Sequence, residues 1–250
     1  MKKVLGDGKN IKKYDVWHSL QERNNGNLTP HLEEWHKNAI KLTANLSNRS
    51  ILEVGCGNGD FALCLSDKNS NITAVDFSRK AISIARKKAK TLNSKVRFMV
   101  ADAQNLPFKD NSFDMIFSCE CLEHVENPER VLLEFNRVLK ENGELILTTE
   151  NYFNALILWW IKCWILKKPF NSGAGVQPIE HFFLFWSVRN LIKKAGFNIK
   201  KMIGSHHVFL VLPKVTPSRF VKERFNTSFF QLIFGPLARH IAFKATKKKL

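Results

Sequence analysis

The chain has 250 residues, enough for one large domain or one domain with a modest appendage. Apolar residues make up 44% and charged residues 24%, which excludes a disordered or collagen-like chain. The net charge of +17 is uneven: residues 1–150 hold 22 basic and 20 acidic residues, whereas residues 151–250 hold 17 and 2.

Residues 1–47 are polar with isolated aromatics (Tyr14, Trp17 and Trp35) and are expected to form a helical cap. Leu32, Trp35, Ala39, Leu42 and Leu46 recur at spacings of three and four. That period predicts a helix over residues 32–46, opened by Thr29 as cap and Pro30 at the first helical position. From residue 50 the chain alternates strand and helix. Strands are expected at 50–54, 71–76, 95–100, 113–118 and 144–149, and helices at 61–65, 78–92 and 128–139. Such alternation implies parallel strands joined by right-handed crossovers. A helix over 187–195 ends at Gly196, and 197–204 and 207–212 read as a terminal strand pair.

The most informative segment is Glu53-Val54-Gly55-Cys56-Gly57-Asn58-Gly59, between a strand and a helix. Glycine permits positive φ and close approach of a ligand to the backbone. A dinucleotide loop needs glycine at the sixth place, where this chain has Asp60. An acid there suits a pyrophosphate poorly. It suits a nucleoside that has no phosphates and carries positive charge. Asp76 closes the second strand, where a carboxylate can accept from both ribose hydroxyls. Asp102 closes the third, where it can accept from an adenine amine. The bland alternative is that both acids cap the helices that follow.

These residues resemble the class I S-adenosylmethionine-dependent methyltransferases, over residues 45–212. The resemblance rests on Leu52 through Gly59, Val75-Asp76-Phe77-Ser78, Ala101 through Phe108, Phe113-Asp114-Met115-Ile116, Leu122-Glu123-His124-Val125 and Leu139 through Leu145. It is nearest to the small-molecule branch that includes the ubiquinone and menaquinone biosynthesis methyltransferases. The family implies an α/β, Rossmann-like fold: seven strands, helices on both faces and an antiparallel last strand. It implies a methyltransferase domain over 48–212 and S-adenosylmethionine as cofactor. Glu53, Gly55, Cys56, Gly57 and Gly59 would hold its methionine end, Asp76 with Phe77 its ribose, and Asp102 with Ala103 its adenine. The turn carrying Cys119 and Glu120 would close the site, with Glu120 near the cofactor's amino group.

Methyl transfer needs an acceptor held in line with the S–CH₃ bond, and a hydroxyl or carbon acceptor also benefits from a base. His124 follows the fourth strand, at the sheet edge where ligands bind, and His181 follows a Gly/Ser/Pro-rich stretch. Both are candidate bases. The structural alternative is that His124 shapes the turn before Pro128 and that His181 caps or packs a helix. Cys119 and Cys121 read as packing residues. The five cysteines form no disulfide framework and no zinc spacing, so no metal is expected.

The second half is basic and aromatic. Residues 151–178 form a Trp-rich insertion holding Trp159, Trp160 and Trp164. Residues 213–250 form a tail with 9 basic residues and 1 acidic one. Indoles and lysines together favour an anionic bilayer surface, while a buried lid over the acceptor pocket is the other reading. The longest apolar run, 155–166, contains Lys162 and falls short of the roughly 18 residues a spanning helix needs. Residues 1–15 show no signal-peptide pattern. The expected location is the cytoplasm, with peripheral contact at the membrane's inner face. The expected acceptor is small or lipophilic, a class that includes membrane-associated and polyprenyl-linked molecules. An RNA acceptor and a non-enzymatic adaptor that keeps the fold are the alternatives.

Overall fold

A computed structural model describes residues 8–25, 29–66, 71–152, 179–205 and 235–248. Its elements are α1 (Gly8–Asn25), α2 (Glu34–Lys41), β1 (Ser50–Val54), α3 (Asp60–Leu65), β2 (Asn71–Asp76), α4 (Arg79–Thr91), β3 (Arg97–Val100) and β4 (Phe113–Cys119). A 3-10 turn (Leu122–His124), α5 (Pro128–Val138), β5 (Leu139–Glu150), α6 (Phe185–Lys194), β6 (Phe197–Ser205) and β7 (His240–Lys247) complete them. The strands form one seven-stranded sheet in the order β3-β2-β1-β4-β5-β7-β6. β1 to β5 pair in parallel, and β7 runs antiparallel to both neighbours. This is the expected α/β architecture.

Alternation along the strands sets the two faces of the core. Ile51 packs with Phe61, Ile82, Met115, Phe117 and Ile146 on one face. Leu52 and Val54 pack with Val75, Ile116, Phe135 and Leu147 on the other. Strands buried on both faces read as continuous apolar runs, as SILEV does. Helix starts follow side-chain caps. Ser78 Oγ accepts the Ala81 amide, and Asn127 Oδ1 accepts the Arg130 amide just before Pro128.

Three expectations change. α2 starts at Glu34, not at Pro30, because the Glu33 amide donates to His36 Nδ1 at 3.1 Å in a capping box. The apolar face expected for this helix does pack on the core, through Ala39 and Leu42. Residues 8–25, expected as part of a helical cap but without helix bounds of their own, form α1. Its inward face carries Tyr14 and His18, while Val16 and Leu20 are exposed.

The third change concerns the sheet's end. The strand paired with β6 is His240–Lys247, some thirty residues beyond the expected 207–212 segment, which lies outside the described residues. Part of the expected tail is therefore an internal strand. Its lysines hid it. Lys244 Nζ pairs with Glu144 at 2.6 Å, and Lys247 Nζ donates to the Leu139 carbonyl, so neither charge is stranded. Most of the Trp-rich insertion, 153–178, also lies outside the described residues.

Candidate active site

β1 and β4 are neighbours, and their crossovers leave in opposite directions along the sheet. Open α/β sheets bind ligands at the carboxyl ends of strands beside such a switch. A cavity of about 530 Å³ lies there, walled by residues from the ends of β1, β2, β4 and β5, the segment after β3, and α1, α2 and β7.

The loop after β1 is tied to β2. The Gly55 and Cys56 amides both donate to the Val75 carbonyl, at 2.9 and 3.0 Å. The Gly57 amide donates to Asp76 Oδ2 at 2.9 Å, and the Ser78 amide to Asp76 Oδ1 at 2.8 Å. Asp76 is 8% exposed, and each oxygen keeps a lone pair for a further donor. Burial pushes its pKa up, while His18 and the two amides oppose that shift. Asp60 pairs with Lys88 at 2.6 Å, which neutralises the acid beside the loop.

The glycines differ in what they face. Gly57 has φ +49°, and among the described residues beyond its chain neighbours a Cβ there would meet His18 alone, at 3.6 Å. Gly59 has φ +80°, and a Cβ there would stand 2.7 Å from Phe98 and 2.8 Å from Ala85. Gly57 lines the cavity, whereas Gly59 is absent from its wall and serves the loop-to-helix packing.

Asp102 Oδ1 accepts the Gln104 amide at 2.9 Å, and Asp102 and Ala103 both line the cavity. The bland reading of the two acids is thus half right, since each holds a local amide. Yet both also face one cleft. Glu53, Gly55, Cys56, Phe77, Cys119 and Glu120 line the same space. Burial holds the thiols of Cys56 and Cys119 well above their usual pKa, so both are protonated packing groups.

The two histidines separate. His124 lines the cavity, and its Nδ1 lies 2.9 Å from the Ile179 carbonyl. A carbonyl only accepts, so Nδ1 carries a proton, and in the neutral tautomer Nε2 is the acceptor. His181 is absent from the cavity wall. Its Nε2 lies 2.8 Å from the Val125 carbonyl and its amide donates to Glu123, so it staples residues 179–183 to the turn.

Beyond the Glu120 end, the wall consists of groups to which the sequence reading gave no role there: Trp35, Glu123, Glu150, Tyr152, Glu180 and His240. Thr148 Oγ1 donates to Glu120, Thr149 Oγ1 to Glu123, and Tyr152 OH to Glu180. Burial pushes Glu53, Glu120 and Glu123 each up to about 8, with neighbouring carboxylates adding to the shift. Glu120, Glu150 and His240 bring one donor atom each within 4.8 Å of one another, a spacing that also admits a cation. Glu123 adjoins His124 in the chain and was findable from that motif. His240 required the strand order.

Four cavity side chains carry a buried atom with no hydrogen-bond partner among the described residues: His18 Nδ1, Glu53 Oε2, Asn58 Oδ1 and Glu123 Oε1. Buried polar atoms are normally paired, so these mark where a polar ligand completes the site. Three are acceptors in the acid or amide form, suited to hydroxyls and an ammonium. The carboxyl-rich wall suits positive charge, because a cation there favours the ionised forms that burial opposes. A sulfonium nucleoside with an amino-acid arm fits both.

A family profile described as a methyltransferase domain matches residues 52–147. The demethylmenaquinone methyltransferase of Thermotoga maritima is 32% identical over 184 residues, covering 66% of this chain and 77% of that protein. The ubiquinone biosynthesis O-methyltransferase of Rickettsia conorii is 27% identical over 160 residues, covering 62% of this chain and 55% of that one. A solved SAM-dependent methyltransferase of Thermotoga maritima shares the fold, with a TM-score of 0.62, 24% identity, and coverage of 95% of this chain and 99% of that one. A glycine loop and two strand-end carboxylates around one cleft agree with these likenesses, and the chain belongs to the class I methyltransferases that use S-adenosylmethionine as cofactor.

Proposed function

We propose that this methyltransferase acts on a small or lipophilic acceptor carrying a hydroxyl, bound between Trp35, Tyr152 and the turn after β4. The observation that carries the reading is that the Gly57 loop, Asp76 and Asp102 share one cavity with this aromatic, carboxylate-lined end. The names of the quinone-pathway relatives support a lipophilic acceptor.

When bound, S-adenosylmethionine supplies an electrophilic methyl group whose leaving group is a neutral thioether. The chain's part is to hold and orient. Asp76 accepts from the ribose, Asp102 and Ala103 border the adenine, and Glu53 and the backbone at 55–57 face the methionine end. Placing the acceptor in line accounts for up to about 7–11 kcal/mol of barrier reduction. His124 Nε2 takes the acceptor's proton, with the Ile179 carbonyl fixing the ring. A positioned base of this kind contributes about 10²–10⁴-fold. His181 acts as a staple and takes no proton.

Peripheral association with an anionic membrane is part of the same reading. It is supported by the basic, aromatic second half and by exposed Phe182 and Trp186 near the acceptor end. Among the described residues no helix is long and apolar enough to cross a membrane.

The test is transfer of labelled methyl from S-adenosylmethionine into organic-extractable material from a lipid extract. Label appearing only in RNA would overturn the acceptor class. A steep salt slope in RNA filter binding, with no sedimentation on anionic vesicles, would overturn the membrane part.

A further inference from the structure

His18 stands on α1, well before the family-matched segment that starts at residue 52. It is 7% exposed, and its ring lines the cavity. Its Nδ1 is buried with no hydrogen-bond partner among the described residues. Among the described residues, chain neighbours aside, its Cε1 is the heavy atom nearest the position that a Cβ on Gly57 would take, at 3.6 Å. The Asn58 side chain lies beside the ring and favours its protonated form as a weak acceptor, yet neither Asn58 Oδ1 nor His18 Nδ1 reaches a partner at hydrogen-bond geometry among the described residues. Asp76 is near enough for its charge to act on the imidazole, although burial dominates and keeps the ring neutral. A neutral imidazole offers one donor and one acceptor.

The helix is held over this spot by specific bonds. Asp15 Oδ1 accepts from Ser78 Oγ at 2.6 Å and from the Lys80 amide at 3.0 Å. Tyr14 OH donates to the His124 carbonyl at 3.2 Å. His18 is therefore placed chiefly by its neighbours in the chain, with Asn58 beside its ring.

The group that completes this corner must both donate and accept, and must sit beside a carboxylate. A phosphate fails against Asp76. A hydroxyl meets every condition, and a ribose offers two on adjacent carbons. We propose that His18, together with Asn58, contacts the ribose hydroxyls of the cofactor, opposite Asp76 and above Gly57. This rests on the assignment of Asp76 to the ribose.

The experiment is calorimetric titration of the full chain with two probes. S-Adenosylhomocysteine carries ribose and amino-acid arm, and 5′-methylthioadenosine carries the ribose without that arm. His18→Phe keeps the bulk and removes the polar atoms. It is expected to weaken both probes by the same factor, about tenfold. His18→Gln is expected to recover most of that loss. Wild-type affinity for both probes in His18→Phe overturns the proposal, and so does a loss confined to S-adenosylhomocysteine. Asp76→Ala is the control: if it binds 5′-methylthioadenosine as the wild type does, the ribose assignment itself fails. Should His18→Phe not fold, the wild type still decides. The His18 Cε1–H resonance, identified by its absence in His18→Gln, must shift on adding 5′-methylthioadenosine, and an unmoved resonance overturns the contact.

Discussion

Asp76 Oδ2 accepts the Gly57 amide at 2.9 Å, so the last residue of β2 holds the loop that follows β1. Its other oxygen holds the Ser78 amide at the start of α4. One carboxylate thus braces two ligand-facing turns before any ligand arrives.

Asp76→Ala removes those bonds along with the proposed ribose contacts. Hydrogen bonds to a charged group contribute about 1.5–3 kcal/mol each, so affinity for S-adenosylhomocysteine is expected to fall about 100-fold or more. Thermal melting is expected to fall as well, because two buried amides lose their acceptor. Calorimetry that finds unchanged affinity would remove Asp76 from the site.

Gly57→Ala and Gly59→Ala are expected to fail differently. At Gly59 the added carbon meets Phe98 and Ala85 below 3 Å, so the loss is one of stability, about 1–3 kcal/mol. At Gly57 the surroundings are open apart from His18, so melting changes less and cofactor affinity falls more. Denaturant melts and calorimetry on both variants compare the two losses. Equal patterns would contradict the sidedness of the loop.

Asp15→Ala cuts the bonds that hold α1 to the start of α4. Amide exchange in residues 10–20 is expected to accelerate by more than tenfold, with little change in β1 or β4. Cofactor release is expected to quicken. If exchange in α1 stays at the wild-type rate, Asp15 is not what secures the helix.

Stability should depend on pH in a defined direction. Glu53, Glu120 and Glu123 are pushed from 4.5 up to about 8 by burial, so the fold favours their protonated forms. A raised folded-state pKa means stability that is full below the unfolded value and lost as pH climbs through the folded one. Burial lowers His18, His36 and His240, which act in the opposite sense below about 6.5. The carboxyls therefore dominate between pH 6.5 and 8. Melting of the ligand-free protein is expected to decline across that interval, and a rise would show that these acids are ionised in the fold.

Much of the central site was legible because it is local. The apolar run 50–54, the glycine loop, and Asp76 and Asp102 each sit within a few residues of the strand end that positions them. Ser78 as the cap of α4 was equally readable. β7 was not, because its alternation is broken by lysines whose partners, Glu144 and the Leu139 carbonyl, are about a hundred residues away. α1 was expected only as part of a helical cap, and its bounds were not readable because its apolar content is low and its inward face carries a tyrosine and a histidine.

The sequence by itself determined the alternating α/β class and the order of the strand-end carboxylates, since each follows from short-range pattern and spacing, and the cofactor followed from the family those motifs resemble. The tertiary structure alone decided that Gly57 faces the cavity and Gly59 does not, that His124 lines it and His181 does not, and that His18 and His240 complete its wall. Those outcomes depend on which elements the sheet order brings side by side. Segments far apart in the chain meet there only after the core has closed, and no local spacing encodes which face of a loop or ring the neighbour will cover.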